Sequence, residues 1–426
     1  MGTFNCYNIV IKQTSLTCYN NLKGDKTMKH MIKCLVVILL VACTPVSSEP
    51  LSEVEISSDH NIFRITLQSE IHDSLWDFAD KVDLLSVNEN SVYSPMSLYS
   101  ALSMLLVATS GQSKDQLLEF LNLKDTSGLA DLFRMHNYQD DDQTILNINS
   151  VWLHNAVTNF DESIIDELKD DYLTSSHSID FSNSDAAGKE ISEYISQQTN
   201  GFLTPRFTPR EDTEVMLLNT LYFAMNWNPH FYKTQSINFK DVGLVDAVKT
   251  TMETSQYYEN ETEQAVIKHY QGQGSMIFIR PKNGLNLIEP KRQILDHLLD
   301  SEQLYEVSLI MPEIEVESTY DDLKDTLFEL GLDKVLTDDI SQSEISFYED
   351  SFKTKNIISS IVQGAKIKVD KEGTTAGAYT AIEAPTSGSP QELVKAEMVL
   401  DVPYQLIVLG PQNTPLFVVN VINPTQ

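Results

Sequence analysis

The stretch VDKEGTTAGAYTAIEAPTSGSP, Val369 to Pro390, decides the fold. Read in steps of two from Thr374, one set of side chains is Thr374, Ala376, Ala378 and Thr380, and the other is Thr375, Gly377, Tyr379 and Ala381. Successive side chains of a strand point to opposite faces. One face of this segment therefore carries only Thr and Ala, while the other admits a Tyr. A face so small enters a tight slot between existing strands without overpacking. The run from Thr374 holds no Pro and no charge before Glu383.

Whole-chain properties narrow what kind of molecule holds such a segment. The chain has 426 residues, 42% of them hydrophobic, with a formal net charge of −31. That composition supports a sizeable core, and the charge excludes a nucleic-acid-binding surface, which needs clustered Lys and Arg. The acidic residues are spread through the chain and read as a solvated surface. Near the start, MKHMIKCLVVILLVACTPVSSEP places Lys29, His30 and Lys33 ahead of an apolar run from Cys34 to Cys43, followed by small residues. This pattern is a secretory signal over 28–48, cleaved near Ser48. The apolar run is too short to span a bilayer. Leu40 to Cys43, LVAC, also fits a bacterial lipoprotein cleavage site. Residues 1–27 read as an extension upstream of the true start, and 49–60 as an N-terminal linker. All four cysteines, Cys6, Cys18, Cys34 and Cys43, fall in the removed region, so the secreted chain is expected to carry no disulfide. The sequon Asn260-Glu261-Thr262 marks Asn260 as a glycosylation candidate.

From about residue 61 the chain reads as one domain, without repeats or long low-complexity linkers. SPMSLYSALSMLLVATSG starts a helix at Ser94-Pro95 and carries Leu98, Ala101, Leu102, Leu105 and Leu106 at helical spacing. A second helix opens after Gly111. Strand-like runs follow: ILNINSVWLH, EVMLLNTLYFAMNW, SMIFIRP, YEVSLIMPEIEVE, AKIKVDKEG, EMVLDVPYQLIVLG and PLFVVNVINP. Helices come first and long strands later, which defines an α+β chain.

Four of these segments, in this order, resemble the serpin family. NSVYSPMSLYSALSML resembles its N-terminal helix, and NTLYFAMNWNPHF, Asn219 to Phe231, a strand of its central sheet. VSLIMPEIEVESTYDDLKDTLFELGL resembles its strand and helix ahead of the reactive loop, and VDKEGTTAGAYT its hinge. The resemblance covers 61–426. It implies a serpin fold: helices around a large central sheet plus smaller sheets, with an exposed reactive loop at about 373–396. It also implies a metastable monomer whose loop, cut by a serine protease, inserts as a further strand and leaves a covalent acyl complex. Gly373, Thr374, Thr375, Ala376, Gly377, Ala378 and Thr380 are the implied hinge. Ser94, Ser97, Asn219 and Gln363 are the implied opening region of the sheet, with Gln363 where the family usually has His and expected to hydrogen-bond Ser97 and Asn219. Lys371 and Glu313 stand where the family often has an acid and a base, so the expected hinge ion pair has both signs reversed. Val402 and Tyr404 around Pro403, and Val419, depart from the family pattern without touching the fold.

No nucleophile elbow, metalloprotease helix, phosphate-binding loop or paired-cysteine metal spacing is present, and the nine His are scattered. The expectation is a non-enzymatic protein without metal or cofactor. It is either a secreted inhibitor acting as a suicide substrate or a non-inhibitory carrier, signalling or storage relative. By resemblance the scissile bond lies about fourteen residues beyond Gly373, at Ser387–Gly388. The span to Pro403 is longer than in many relatives by about five residues, which leaves Leu393 and Lys395 as alternative targets for chymotrypsin-like and trypsin-like pockets. Mass spectrometry of the peptide released from a covalent complex tests this: a peptide starting at Gly388 is expected, and one starting at Ala396 moves the cut to Lys395.

Overall fold

The structure is a computed structural model and describes residues 51–426 apart from 207, 286–287, 321–322, 350–353, 359–360 and 375–392. Two sheets organise these residues. The first, of seven strands, contains β2 (Asn137–Gln139), β3 (Gln143–His154), β4 (Thr174–Ile179), β5 (Val215–Asn226), β11 (Ile314–Tyr320), β12 (Gln363–Val369) and β13 (Gly373–Thr374), ordered β11-β12-β13-β5-β3-β2, with β4 also on β3. The second, of nine strands, contains β1 (Ser91–Tyr93), β6 (Lys233–Phe239), β7 (Gly243–Glu259), β8 (Glu263–His269), β9 (Ser275–Pro281), β10 (Leu304–Pro312), β14 (Val394–Val399), β15 (Tyr404–Leu409) and β16 (Pro415–Val421), ordered β1-β16-β15-β9-β8-β7-β10-β14, with β6 on β7. Among the described residues there are eight α-helices: α1 (Ser69–Lys81), α2 (Pro95–Leu105), α3 (Gly111–Phe120), α4 (Leu129–Met135), α5 (Glu162–Tyr172), α6 (Ser184–Gln198), α7 (Lys291–Leu299) and α8 (Lys324–Glu329). None is long and apolar enough to cross a membrane.

Local sequence explains the elements that carry the site. Ser94 caps α2: its hydroxyl accepts from the Ser97 N–H at 3.0 Å, and Pro95 takes the first helical turn, where its missing N–H has no consequence. Nearly every residue of α2 is buried because the helix lies beneath the seven-stranded sheet, against β3 and β5. β15 and β16 are buried along their whole length, as expected of central strands covered on both faces. α6 lies over the other side of β3 through Ala187, Ile191 and Ile195, which cluster with Trp152, Ile179 and Phe181.

Two strand-like runs divide where a single element was expected. YEVSLIMPEIEVE breaks at Glu313, so β10 and β11 enter different sheets, and EMVLDVPYQLIVLG breaks at 400–403 into β14 and β15. Pro312 and Pro403 sit at these breaks, each lacking a ladder donor. The residues read as a linker are also partly structured. Ser52 bridges Ser176 of β4, Ser57 bridges Tyr138 of β2, and a short 3₁₀ helix covers His60–Arg64. Serines there supply backbone pairing to an otherwise open sheet edge, a role that composition alone does not reveal.

Candidate functional site

The segment expected to act as a hinge starts as a tight turn. Asp370 accepts the N–H groups of Glu372 and Gly373 on Oδ1, at 2.9 and 3.1 Å, and donates its own N–H to the Gly373 carbonyl at 3.0 Å. The chain then reverses into β13, where Thr374 pairs with Val369 of β12 on one side and Met225 of β5 on the other. Gly373 is obligatory at this approach, because a Cβ there would lie 2.2 Å from the Met225 carbonyl oxygen. Thr374 is 2% exposed, and its hydroxyl meets that of Tyr270 at 2.7 Å. The first residue of the small-side-chain face therefore already occupies the sheet.

An aromatic group holds this turn. Trp227, at the end of the NTLYFAMNW run, donates its backbone N–H to the Glu372 carbonyl at 2.8 Å and its indole N–H to the Asp370 carbonyl at 2.9 Å. Tyr270 stacks on it with centroids 4.2 Å apart, and Phe231 meets it edge-on at 6.0 Å. Trp227, Phe231 and Tyr270 escaped the sequence reading as site residues, although the Asn219–Phe231 motif contains two of them. Their spacing signals core packing, and only the structure shows which backbone they grip.

Below β13 the sheet changes character. Among the described residues β5 and β12 do not pair with each other, and β13 alone stands between them. Residues 215–219 of β5 are half-exposed along this opening. The predicted opening-region residues lie at the two sides of it instead of meeting. Gln363 bonds to the Ser94 backbone, accepting its N–H at 3.2 Å and donating to its carbonyl at 2.9 Å, while the Ser94 hydroxyl donates to the Leu416 carbonyl at 2.7 Å. Asn219 instead donates its amide to Asn147 and Asn149 of β3, both at 2.6 Å, and its own carbonyl oxygen is buried without a partner. The expected contact of Gln363 with Ser97 and Asn219 is thus corrected: β12 and β5 stand apart at this level, so each amide bonds its own side. Asn147 and Asn149, two apart in ILNINSVWLH and both buried, were legible only as strand residues. Two inward amides in an apolar run were the available signal.

The remaining site expectations divide. Glu313 and Lys371 meet, but not as an ion pair: the Glu313 carboxylate accepts the Lys371 backbone N–H at 2.8 Å, and the ammonium lies 3.6 Å from Glu372. The Asp370 turn aims that N–H at Glu313 and leaves the side chain outside. Thr375, Ala376, Gly377, Ala378, Thr380, Ser387 and Gly388 lie outside the described residues. Lys395 is zipped into β14, in register with Glu306 of β10 and 3.1 Å from its carboxylate. Leu393 immediately precedes that strand. A cut at Lys395 would require that strand to open first, whereas Leu393 lies outside it. Asn260 is half-buried, and its amide nitrogen donates to Tyr258, Glu263 and Glu289 at 2.6, 2.8 and 3.1 Å. A glycan on that nitrogen would displace these bonds. Among the described residues no group of three or more His, Cys, Asp or Glu is placed to hold a metal.

The profile of the family described as Serpin (serine protease inhibitor) matches residues 75–424. The chain belongs to the serpin family. It is 27% identical over 359 residues to the hibernation-specific plasma protein HP-55 of Tamias sibiricus, covering 79% of this chain and 84% of that one. It is also 27% identical over 364 residues to alpha-1-antitrypsin of Meriones unguiculatus, covering 79% and 85%. Human thyroxine-binding globulin shares the fold with a TM-score of 0.70 at 19% identity, covering 86% of this chain and 100% of that one.

One buried charge gives the site a pH dependence. Lys268 donates to the Pro229 carbonyl beneath the rings of Trp227 and Phe231, fully buried, and desolvation lowers its pKa to about 7. The unfolded chain keeps this amine protonated up to its ordinary value, so between about pH 7 and that value the unfolded state binds the extra proton and stability rises with pH. At and below pH 7 the burial penalty is present in full. Lys268→Met is expected to raise the thermal midpoint at pH 6.5 and to flatten its rise between pH 7 and 9. A wild-type midpoint that does not rise over that window overturns this account.

Proposed function

We propose that the protein is a secreted inhibitor of an extracellular serine protease and that it acts as a suicide substrate. The protease's serine attacks the reactive loop at Ser387–Gly388 and forms an acyl bond. The loop then lengthens β13 down the opening between β5 and β12, and the attached protease is carried away before water can release it. The observation that supports this reading is the position of β13, whose Gly373 and Thr374 sit at the head of a gap whose two edges do not pair with each other among the described residues. Each new ladder hydrogen bond contributes roughly 0.5–1.5 kcal/mol, and burial of the small face adds to it. The protein is consumed by the protease and is not itself a catalyst. The signal over 28–48 and the plasma relatives support secretion.

The decisive experiment incubates the full-length secreted protein with a panel of serine proteases and looks for an SDS-stable complex. Cutting the loop is expected to raise the thermal midpoint by roughly 10 °C or more. Equal midpoints for cut and intact protein would favour the carrier reading. Thr374→Arg is expected to turn inhibitor into substrate, with cleavage maintained and covalent complex lost, because a charge in this buried position costs several kcal/mol. Undiminished complex from the Arg variant would count against insertion at Thr374.

A further inference from the structure

Tyr270 follows β8 directly, and both its backbone and its ring are fixed. Its N–H donates to the Gly274 carbonyl at 3.1 Å, and the residue bridges Trp227 across the sheet. The ring is stacked on Trp227 at an interplanar angle of 12° and meets the edge of Phe223 at 5.2 Å. With every other part of the residue held, the phenol points into the head of the gap and meets the Thr374 hydroxyl. Burial pushes the phenol's pKa well up, so it remains a neutral hydroxyl across the physiological range. On the small face Thr374 is followed by Ala376 and Ala378, which offer no polar side-chain atom. Thr374 is therefore the first side chain of that face able to bond the body of the protein.

We propose that Tyr270 is the positioning residue for strand insertion: its hydroxyl holds Thr374, paired with β5 and β12 at the head of the gap, before any cut, so strand growth starts from a docked end. This rests on the inhibitory reading given above. Ordering the first residues of a strand loses backbone entropy before the ladder returns much. A docked end removes that part from the step that competes with release of the acyl-protease. Lengthening then proceeds residue by residue from a fixed register, and a register error of one residue would turn the small face outward.

Hydrogen exchange on the full-length uncut protein tests the latch without any protease. In Tyr270→Phe and Thr374→Val, exchange of peptides spanning Gly373–Thr374 is expected to quicken by roughly two- to tenfold. The double variant should exceed neither single one, since both remove the same bond, and Thr374→Ser should restore protection. Unchanged exchange in both single variants overturns the latch. The second measurement is the number of inhibitor molecules consumed per protease trapped, expected to rise in both variants and to return with Thr374→Ser. Faster exchange with an unchanged ratio overturns the role in insertion while leaving the inhibitory reading intact. If the wild type traps no protease, the inhibitory reading fails, and the latch stands or falls on exchange alone. Should Tyr270→Phe not fold, Thr374→Val probes the same bond from its other end.

Discussion

Two strand edges that run side by side without pairing are the constraint on which the rest of this structure depends. Backbone N–H and C=O groups require partners, and in the middle of a sheet the usual partner is the adjacent strand. Among the described residues, that partner is supplied between β5 and β12 by Gly373 and Thr374, at the top. Lower down, residues 215–219 of β5 are half-exposed, and the buried side-chain amide oxygen of Asn219 has no partner. Among the described residues the sheet thus has hydrogen-bonding capacity left open at its centre, where a compact protein ordinarily has least. The neighbouring elements make this tolerable: α2 closes the sheet from beneath, and Gln363 and Asn219 each find bonds on their own side.

The head of the gap is built in the opposite manner. Within a few residues, the indole and backbone N–H groups of Trp227 each hold one carbonyl of the turn, a phenol holds the threonine after it, and a carboxylate from the β10–β11 break holds a backbone N–H. None of these contacts depends on the charge of a hinge side chain. The exchange of signs at Glu313 and Lys371 is accordingly of small consequence, since the carboxylate takes the backbone and an exposed ion pair would contribute only about 0–1 kcal/mol. The one charge that matters here is the buried ammonium of Lys268, which lies under the aromatic group and away from the loop.

Much of the architecture was legible in the sequence. The helix at Ser94-Pro95 starts at its capping serine, ILNINSVWLH and SMIFIRP each became a strand, and AKIKVDKEG became a strand through Val369 followed by a turn into the next. These succeed because cap chemistry and apolar runs are local. The long β7, Gly243–Glu259, was missed, since its buried and exposed residues mix without a clean period of two. The site was less legible. Gly373 and Thr374 stood out because close packing needs small residues, yet their partners Met225, Asn226 and Tyr270 are remote in sequence. Which amide Asn219 meets, and whether Lys395 is free or zipped into a strand, depend on the spacing of strands that no local pattern encodes.

The two strands that flank the proposed reactive loop belong to different sheets. β13 lies in the seven-stranded sheet, while β14 runs parallel to β10 at the rim of the nine-stranded one. As long as the chain is intact, the segment between them is a tether whose length must satisfy both anchors at once. A single cut anywhere in it dissolves that obligation and leaves each half answerable to its own sheet. The new termini then have no common scaffold to return them to bonding distance. On the proposed reading, the direction each half takes would be set by the sheet in which its strand is anchored and not by the enzyme that makes the cut.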